Sequence, residues 1–241
     1  MAESFARDIY GSSKGYIRLN VLWQDLLTAL PHLVDGPSLK VLDAGGGMGQ
    51  VTARLAKLGH HVTLADPSSE MLAKAQATLE TEGLSEQVYL LHSDIQSLPA
   101  ETYDLVLNHA VLEWLAEPRE TLKLLLEKLT PSAYLSLMFY NRNAALWGRV
   151  MSARFEDARR FKAGLPVGES TPLDAGEVKD WLREAGLRIL SRSGIRIFHD
   201  HIPENLKTPD TIKKLLELEF ELRQTEPFAS LGRHMHFIAR L

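Results

Sequence analysis

Three acids and a run of glycines carry the first legible chemistry in this chain. Asp43 ends the apolar run 39–42 and is followed by Gly45, Gly46, Gly47 and Gly49. Glycines let a backbone turn sharply and come close to a ligand, and a helix starting behind them offers unpaired N–H groups. Asp66 closes the run 61–66, and Asp94 closes 88–94. An ionised carboxylate only accepts hydrogen bonds, so Asp66 matches the paired hydroxyls of a ribose and Asp94 an adenine amino group. Together they read as a nucleotide-type cofactor site. The competing reading is that the acids cap the helices that follow, as Asp often does.

The elements that must hold these residues alternate. Val51, Leu55 and Leu58 share one helix face behind the glycines, and Gly59 stops that helix. After the strand 61–66, Ser68 caps a helix with Met71, Leu72, Ala75 and Leu79 inward, which Gly83 ends. Residues 103–108 form a fourth strand, followed by a helix after Pro118 with Leu122, Leu125 and Leu129 inward. The fifth, 133–140, is a near-continuous apolar run suited to a sheet covered on both faces. Such alternation predicts a doubly wound α/β fold, with ligands at the carboxyl ends of the strands, where Asp43, Asp66, Asp94 and Asn108 fall.

Upstream, 1–16 reads as loop and 17–33 as helix, so 1–36 forms an N-terminal flap and helix. Residues 142–173 break the rhythm: Arg142, Arg149, Arg154, Arg159, Arg160 and Lys162 precede a loop rich in Gly and Pro. This predicts an inserted basic helix and a lid-like loop. Asp174 with Glu177 then starts a helix, an interrupted strand covers 187–190 and 194–198, Thr208-Pro209 opens another helix, and 234–240 alternates as the last strand.

The bulk properties remove several function classes. Of 241 residues none is cysteine, which excludes disulfides, thiolate zinc sites and thiolate nucleophiles. No run approaches the roughly 18 apolar residues of a membrane span, and residues 1–8 lack the apolar core of a secretory signal, so a cytoplasmic protein is expected. The net charge of −4 argues mildly against a broad nucleic-acid footprint, though a local basic patch escapes a global count. The histidines form no ligand pair on a helix, and His234 and His236 share a strand face without evident partners, so no metal is expected.

The type of cofactor follows from Asp43. The glycine spacing is not the dinucleotide G-x-G-x-x-G, and an acid beside the turn would repel a pyrophosphate. S-adenosyl-L-methionine has no phosphate and tolerates it. Residues 41–49 accordingly resemble the first motif of class I S-adenosylmethionine methyltransferases. That resemblance implies a Rossmann-like, seven-stranded, mostly parallel sheet with an antiparallel last strand, in one domain spanning 1–241.

A closer resemblance extends from about Phe5 onward. Arg7-Asp8-Ile9-Tyr10-Gly11, Lys14-Gly15, Arg18 and residues 22–26 precede the glycine turn, and 109–114, 135–141, 194–200 and 224–227 follow it. Together these segments resemble the CmoM family, the bacterial tRNA 5-carboxymethoxyuridine methyltransferases. The resemblance implies methylation of the carboxylate of 5-carboxymethoxyuridine at the tRNA wobble position, with the anticodon stem-loop as partner. It also implies that Arg18, Gly45, Gly46, Asp66, Asp94, Ile95 and His109 hold the cofactor. Arg18 suits the methionine carboxylate, because its planar donors match two oxygens; the lesser, competing reading is a solvated arginine on the helix surface.

No catalytic base is expected, since a carboxylate is already ionised at neutral pH. Arg196 is the leading candidate to hold the substrate carboxylate. His199 lies beside it, Tyr140 and Asn141 at the end of the fifth strand lie near the methyl-transfer position in this topology, and Tyr10 and Lys14 are expected to reach over from a mobile N-terminal flap. His199 and Tyr140 could instead be packing residues, and the basic helix could track tRNA phosphates or be a solvated face. The rival functions are methylation of a small carboxylic acid or other metabolite, and cofactor or tRNA binding without turnover.

Overall fold

The computed structural model describes residues 12–241. Seven strands form one sheet: β1 (Lys40–Ala44), β2 (His61–Asp66), β3 (Val88–His92), β4 (Tyr103–His109), β5 (Leu129–Tyr140), β6 (Arg188–Ile195) and β7 (His234–Arg240). Their order is β3-β2-β1-β4-β5-β7-β6. The first four neighbouring pairs are parallel, while β7 runs antiparallel to both β5 and β6. This is the doubly wound sheet expected, with the reversed strand inside it.

Ten helices cover its two faces among the described residues: α1 (Ser13–Ala29), α2 (His32–Asp35), α3 (Gln50–Lys57), α4 (Ser69–Thr81), α5 (Pro118–Leu126), α6 (Arg142–Met151), α7 (Phe155–Lys162), α8 (Ala175–Glu184), α9 (Pro209–Leu222) and α10 (Phe228–Leu231). Helices α1, α3, α4 and α9 contribute Ile17, Val21, Leu26, Leu55, Leu72 and Leu215 to one buried layer. On the other face, Leu122, Leu125, Val178 and Leu182 of α5 and α8 pack against Leu42, Leu135 and Phe237. Successive strand residues point to opposite faces, so Val41 joins the first layer and Leu42 the second.

Several boundaries differ from the sequence reading. The first helix begins at Ser13, because the Ser12 side chain caps it at the Gly15 N–H. It stops at Ala29, and Pro31 opens a separate short helix instead of a continuation to residue 33. Leu129 belongs to β5 and not to the preceding helix. The sixth strand is continuous over its eight residues, with a register shift between Ile189 and Ser191 where an interruption was expected. The basic insert holds two helices instead of one, separated by Ala153 at φ 56°. No described helix is long and apolar enough to cross a membrane. Among the described residues no group of three or more His, Asp or Glu side chains is placed to hold a metal.

Candidate active site

β1, β2, β4 and β5 run parallel, so their carboxyl ends share one edge. After Ala44 the chain turns, and the Gly45 N–H donates to the Ala65 carbonyl across to β2 (2.7 Å). Gly45, Gly47 and Gly49 take positive φ of 76°, 57° and 70°, a region strained for residues with a Cβ. A Cβ on Gly46, at ordinary φ, would lie 2.2 Å from Leu64 Cδ1 and 2.5 Å from Asp43 Cγ. The glycines thus let the turn lie flat on the strands beneath it.

Asp66 fastens this turn. Its Oδ2 accepts from the Gly47 N–H and its Oδ1 from the Ser68 N–H, both at 2.9 Å. Each oxygen keeps a second lone pair that can accept from a ligand hydroxyl. Asp94 lies two residues beyond β3, not at its end: it caps the turn Ile95–Ser97 by accepting from the Ser97 N–H (2.8 Å), with its side chain otherwise exposed and Ile95 buried. For Asp94, then, the capping geometry coexists with an exposed carboxylate, while Asp66 is only 8% exposed at the end of β2. Asp43 is different. It is buried below the turn and accepts from Thr52 Oγ1 (2.7 Å). Burial pushes its carboxyl up to about 6, Thr52 opposes the rise and Asp66 adds to it.

The neighbouring part of the edge is cationic. The β4–β5 register sets His109 beside Met138, two residues before Tyr140. Tyr140 pairs with His234 on β7, which pairs with Ile195 on β6. Arg196 follows at once, at φ 60°, in a loop held by the buried Glu219, which accepts from the Ile197 and Phe198 N–H groups (2.9 and 3.0 Å). Arg196 donates to Asp200 Oδ2 (2.6 Å), and its buried Nε has no hydrogen-bond partner. Arg233 reaches the same oxygen at 3.9 Å and covers the Tyr140 ring at 4.1 Å. Burial alone would raise the Asp200 carboxyl, but the His199 hydrogen bond with Arg196 and Arg233 holds it far below its usual range.

The six substrate candidates thus separate. Arg196 and Tyr140 come together, joined by Arg233, which the sequence reading did not single out. His199 is fully buried behind them, between Ser13 Oγ (2.8 Å) and Asp200 (3.2 Å). Asn141 is buried too: its amide donates to the Ser230 and Gly232 carbonyls, both at 2.9 Å, and its oxygen accepts from the Asn143 N–H. Those bonds tie the β5 end to the loop before β7. Lys14 is exposed on the first turn of α1, not in a loop, and Tyr10 lies outside the described residues.

Glu113 joins the two parts of the edge. It lies in the short turn Leu112–Trp114, buried, with Oε2 unpartnered. Burial pushes its carboxyl up to about 7, against backbone hydrogen bonds and the charges of Arg18 and Arg233. Arg18 also depresses protonation of His109 and His234, after burial and other neighbours, which places it at this edge. The legible signal for Glu113 was an acid inside an otherwise apolar run, 111–115.

Sequence reading also missed a buried hydrogen-bonded chain. His109 Nε2 meets Ser136 Oγ (2.8 Å), Ser136 Oγ meets His236 Nε2 (2.8 Å), and His236 Nδ1 meets Asp25 Oδ2 (3.0 Å). Arg223 Nε donates to Asp25 Oδ1 (2.6 Å). The Ser-His-Asp order resembles a nucleophilic triad, but Ser136 and Asp25 are 0% exposed and His236 1%, so no substrate reaches the hydroxyl. The partners that His236 lacked in the sequence are Ser136 and Asp25.

In the basic insert, Arg149 is buried and donates to the Ala145 and Val167 carbonyls, so it braces the insert instead of joining a cationic face. Arg154, Arg159, Arg160 and Lys162 are exposed on or beside α7.

A family model described as "Methyltransferase domain" matches residues 41–132. The tRNA 5-carboxymethoxyuridine methyltransferase of Escherichia coli K12 is 40% identical over 250 aligned residues, covering 100% of this chain and 94% of that protein. A ubiquinone biosynthesis O-methyltransferase of Cereibacter sphaeroides is 26% identical, covering 74% and 73%. Among solved structures, magnesium protoporphyrin IX methyltransferase from Synechocystis PCC 6803, with bound SAH, superposes with a TM-score of 0.65. It is 19% identical, with 97% of this chain and 91% of that one covered, and shares the fold.

Proposed function

The chain belongs to the tRNA 5-carboxymethoxyuridine methyltransferase family, and we propose that it transfers a methyl group from S-adenosyl-L-methionine to the carboxylate of 5-carboxymethoxyuridine in tRNA. The observation that carries this reading is the composition of the edge: acceptors and a glycine turn at the ends of β1 and β2, two guanidiniums at the ends of β6 and β7.

The cofactor fits the first part. Asp66 receives the ribose hydroxyls, the exposed Asp94 the adenine amino group, and Ile95 an apolar flank, with Gly45 and Gly46 beneath. Arg18 and His109 take the amino-acid end. When bound, S-adenosylmethionine supplies an electrophilic methyl group on a sulfonium.

The chain's residues align and desolvate the nucleophile. A carboxylate with a reference pKa near 4 is ionised at neutral pH, so no side chain has to remove a proton. Arg196 and Arg233 hold it by charge-assisted hydrogen bonds, Asp200 fixes both guanidiniums, and Tyr140 closes the wall below Arg233. A negative nucleophile meets a positive centre, so charge is lost toward the transition state and a drier site favours the reaction. Lys14, exposed on the first turn of α1, and the exposed arginines of α7 approach phosphates of the anticodon stem-loop.

The test supplies methyl-labelled S-adenosylmethionine and tRNA carrying carboxymethoxyuridine. Label should enter RNA and leave in mild alkali, as an ester does. Alkali-stable label in RNA would refute carboxylate methylation, and label on small molecules alone would refute the RNA substrate.

A further inference from the structure

The chain from Arg223 to His109 joins α1, β4, β5, β7 and the end of α9, and its three central members, Asp25, His236 and Ser136, are closed to solvent. Each member has a limited hydrogen-bonding repertoire, so proton positions can be counted along it. Arg223 only donates. Its charge already balances Asp25, and a second cation on the buried His236 would be uncompensated. In the uncharged imidazole of His236 the proton sits on Nδ1, facing the Asp25 carboxylate (3.0 Å). Its Nε2 then carries a lone pair, which only the Ser136 hydroxyl can fill (2.8 Å). The single hydroxyl proton is used there, so Ser136 Oγ accepts from His109, whose proton must lie on Nε2 (2.8 Å).

We infer that the buried relay Arg223–Asp25–His236–Ser136 fixes His109 in the Nε2–H tautomer, so that its Nδ1 offers a lone pair to the α-ammonium of the bound methyl donor. Asp25, His236 and Ser136 are positioning residues in this account. It rests on the reading that His109 belongs to the cofactor site. Two observations favour the direction of the lone pair. His109 lies at the carboxyl end of β4, next to the strand that carries the glycine turn, with Asn108 donating to the Ala44 carbonyl (2.9 Å). It also lies close enough to Arg18 to feel its charge, and the ammonium shares a carbon with the carboxylate that Arg18 suits. A protonated imidazole there would repel that ammonium; a neutral one with Nδ1–H would present a donor to a donor.

Asp25→Asn is a near-isosteric test because it reverses the relay. The amide keeps its oxygen toward Arg223 and turns its NH2 toward His236 Nδ1, which must then accept. His236 Nε2–H donates to Ser136, Ser136 donates to His109 Nε2, and the His109 proton moves to Nδ1. Proton-detected nitrogen-15 spectra of the histidine rings, with His109 assigned by its loss in His109→Gln, should show Nε2–H in the wild type and Nδ1–H in Asp25→Asn. Affinity for S-adenosylmethionine, by calorimetry, should fall about tenfold in that variant, the scale of one hydrogen bond to a charged group. The maximal rate at saturating cofactor should change less than the affinity. Should Asp25→Asn fail to fold, Ser136→Ala carries the test: it interrupts the chain and should leave His109 in a mixture of tautomers. Nδ1–H in the wild type, or Nε2–H unchanged in both variants, overturns the relay. Unchanged cofactor affinity in His109→Gln, with the tautomers as expected, overturns the cofactor reading instead and leaves the relay standing.

Discussion

The two parts of the functional edge are built by opposite means. At β1, β2 and β3 the backbone does most of the work: a glycine turn lies against the sheet and Asp66 ties it down by two backbone N–H groups. At β5, β6 and β7 side chains dominate, with Arg196 and Arg233 converging on Asp200 above the Tyr140 ring. The first part is specified by where a Cβ cannot go, the second by where charge is concentrated. This division suits a site that must bind one neutral-to-cationic partner and one anionic partner side by side.

Substitutions on either side should therefore separate two measurements. Asp66→Ala should have the largest effect, because it removes the proposed ribose contact and unpins the turn. Affinity for S-adenosylmethionine should drop more than about 100-fold, in line with losing several charge-assisted hydrogen bonds, with tRNA affinity nearly unchanged by filter binding. A parallel loss of tRNA affinity would show that the two parts are one unit. Arg196→Ala should do the reverse: RNA methylation falls by roughly 10- to 100-fold, while calorimetry gives cofactor affinity close to wild type. Equal loss of both would place Arg196 on the cofactor side.

Glu113, at the junction, makes a pH prediction. Burial holds its carboxyl at about 7, above the ordinary 4.5 of a glutamate. Between those values the folded chain binds more protons than the unfolded chain, so this group's contribution to stability declines as pH rises through about 4.5 to 7 and is constant above. The decline is on the order of 3 kcal/mol. Glu113→Gln should remove it, so that the variant matches wild type near pH 4 and exceeds it at pH 8 in urea unfolding. An unchanged difference across that range would mean that burial does not shift this group between the unfolded and the folded chain. The smallest effect is expected far from the chemistry. Arg159→Ala with Arg160→Ala should lower the dependence of log tRNA affinity on log salt by about one unit or less per lost phosphate contact. An unchanged slope would make α7 an ordinary solvated surface.

The alternation of strands and helices was legible in the sequence because each strand and each helix face repeats its apolar residues at its own period. Asp66 stood out because it directly follows an apolar run, and Asp94 because it closes the next one after His92 and Ser93. Asp43 stood out as an acid beside the glycines, and the structure buries it beneath the turn, where it accepts from Thr52. Long-range pairings left no such trace. Asp25 meets His236 across the whole chain, and Arg233 reaches the Arg196 cluster only because β7 runs beside β6. Asn141 and His199 looked like site residues from their neighbours in sequence, yet the fold turns both inward. A single sequence records what each residue is, and periodicity records which face it takes, but neither records which distant residue faces it.

The position of β7 has a consequence for how the molecule is assembled. It is the last strand in the chain and yet lies between β5 and β6. During synthesis β1 to β5 can pair as they emerge, since each finds its neighbour already made, while the outer edge of β5 stays open until the final strand arrives. An open edge is a template for wrong partners. Here it carries Leu135, Leu137 and Phe139, which are buried in the finished fold. The contacts of Arg233 with Asp200, of Asn141 with Gly232 and of His236 with Ser136 all require that one insertion, so the β5–β7–β6 part of the sheet edge depends on the last strand whereas the glycine turn at β1 and β2 does not.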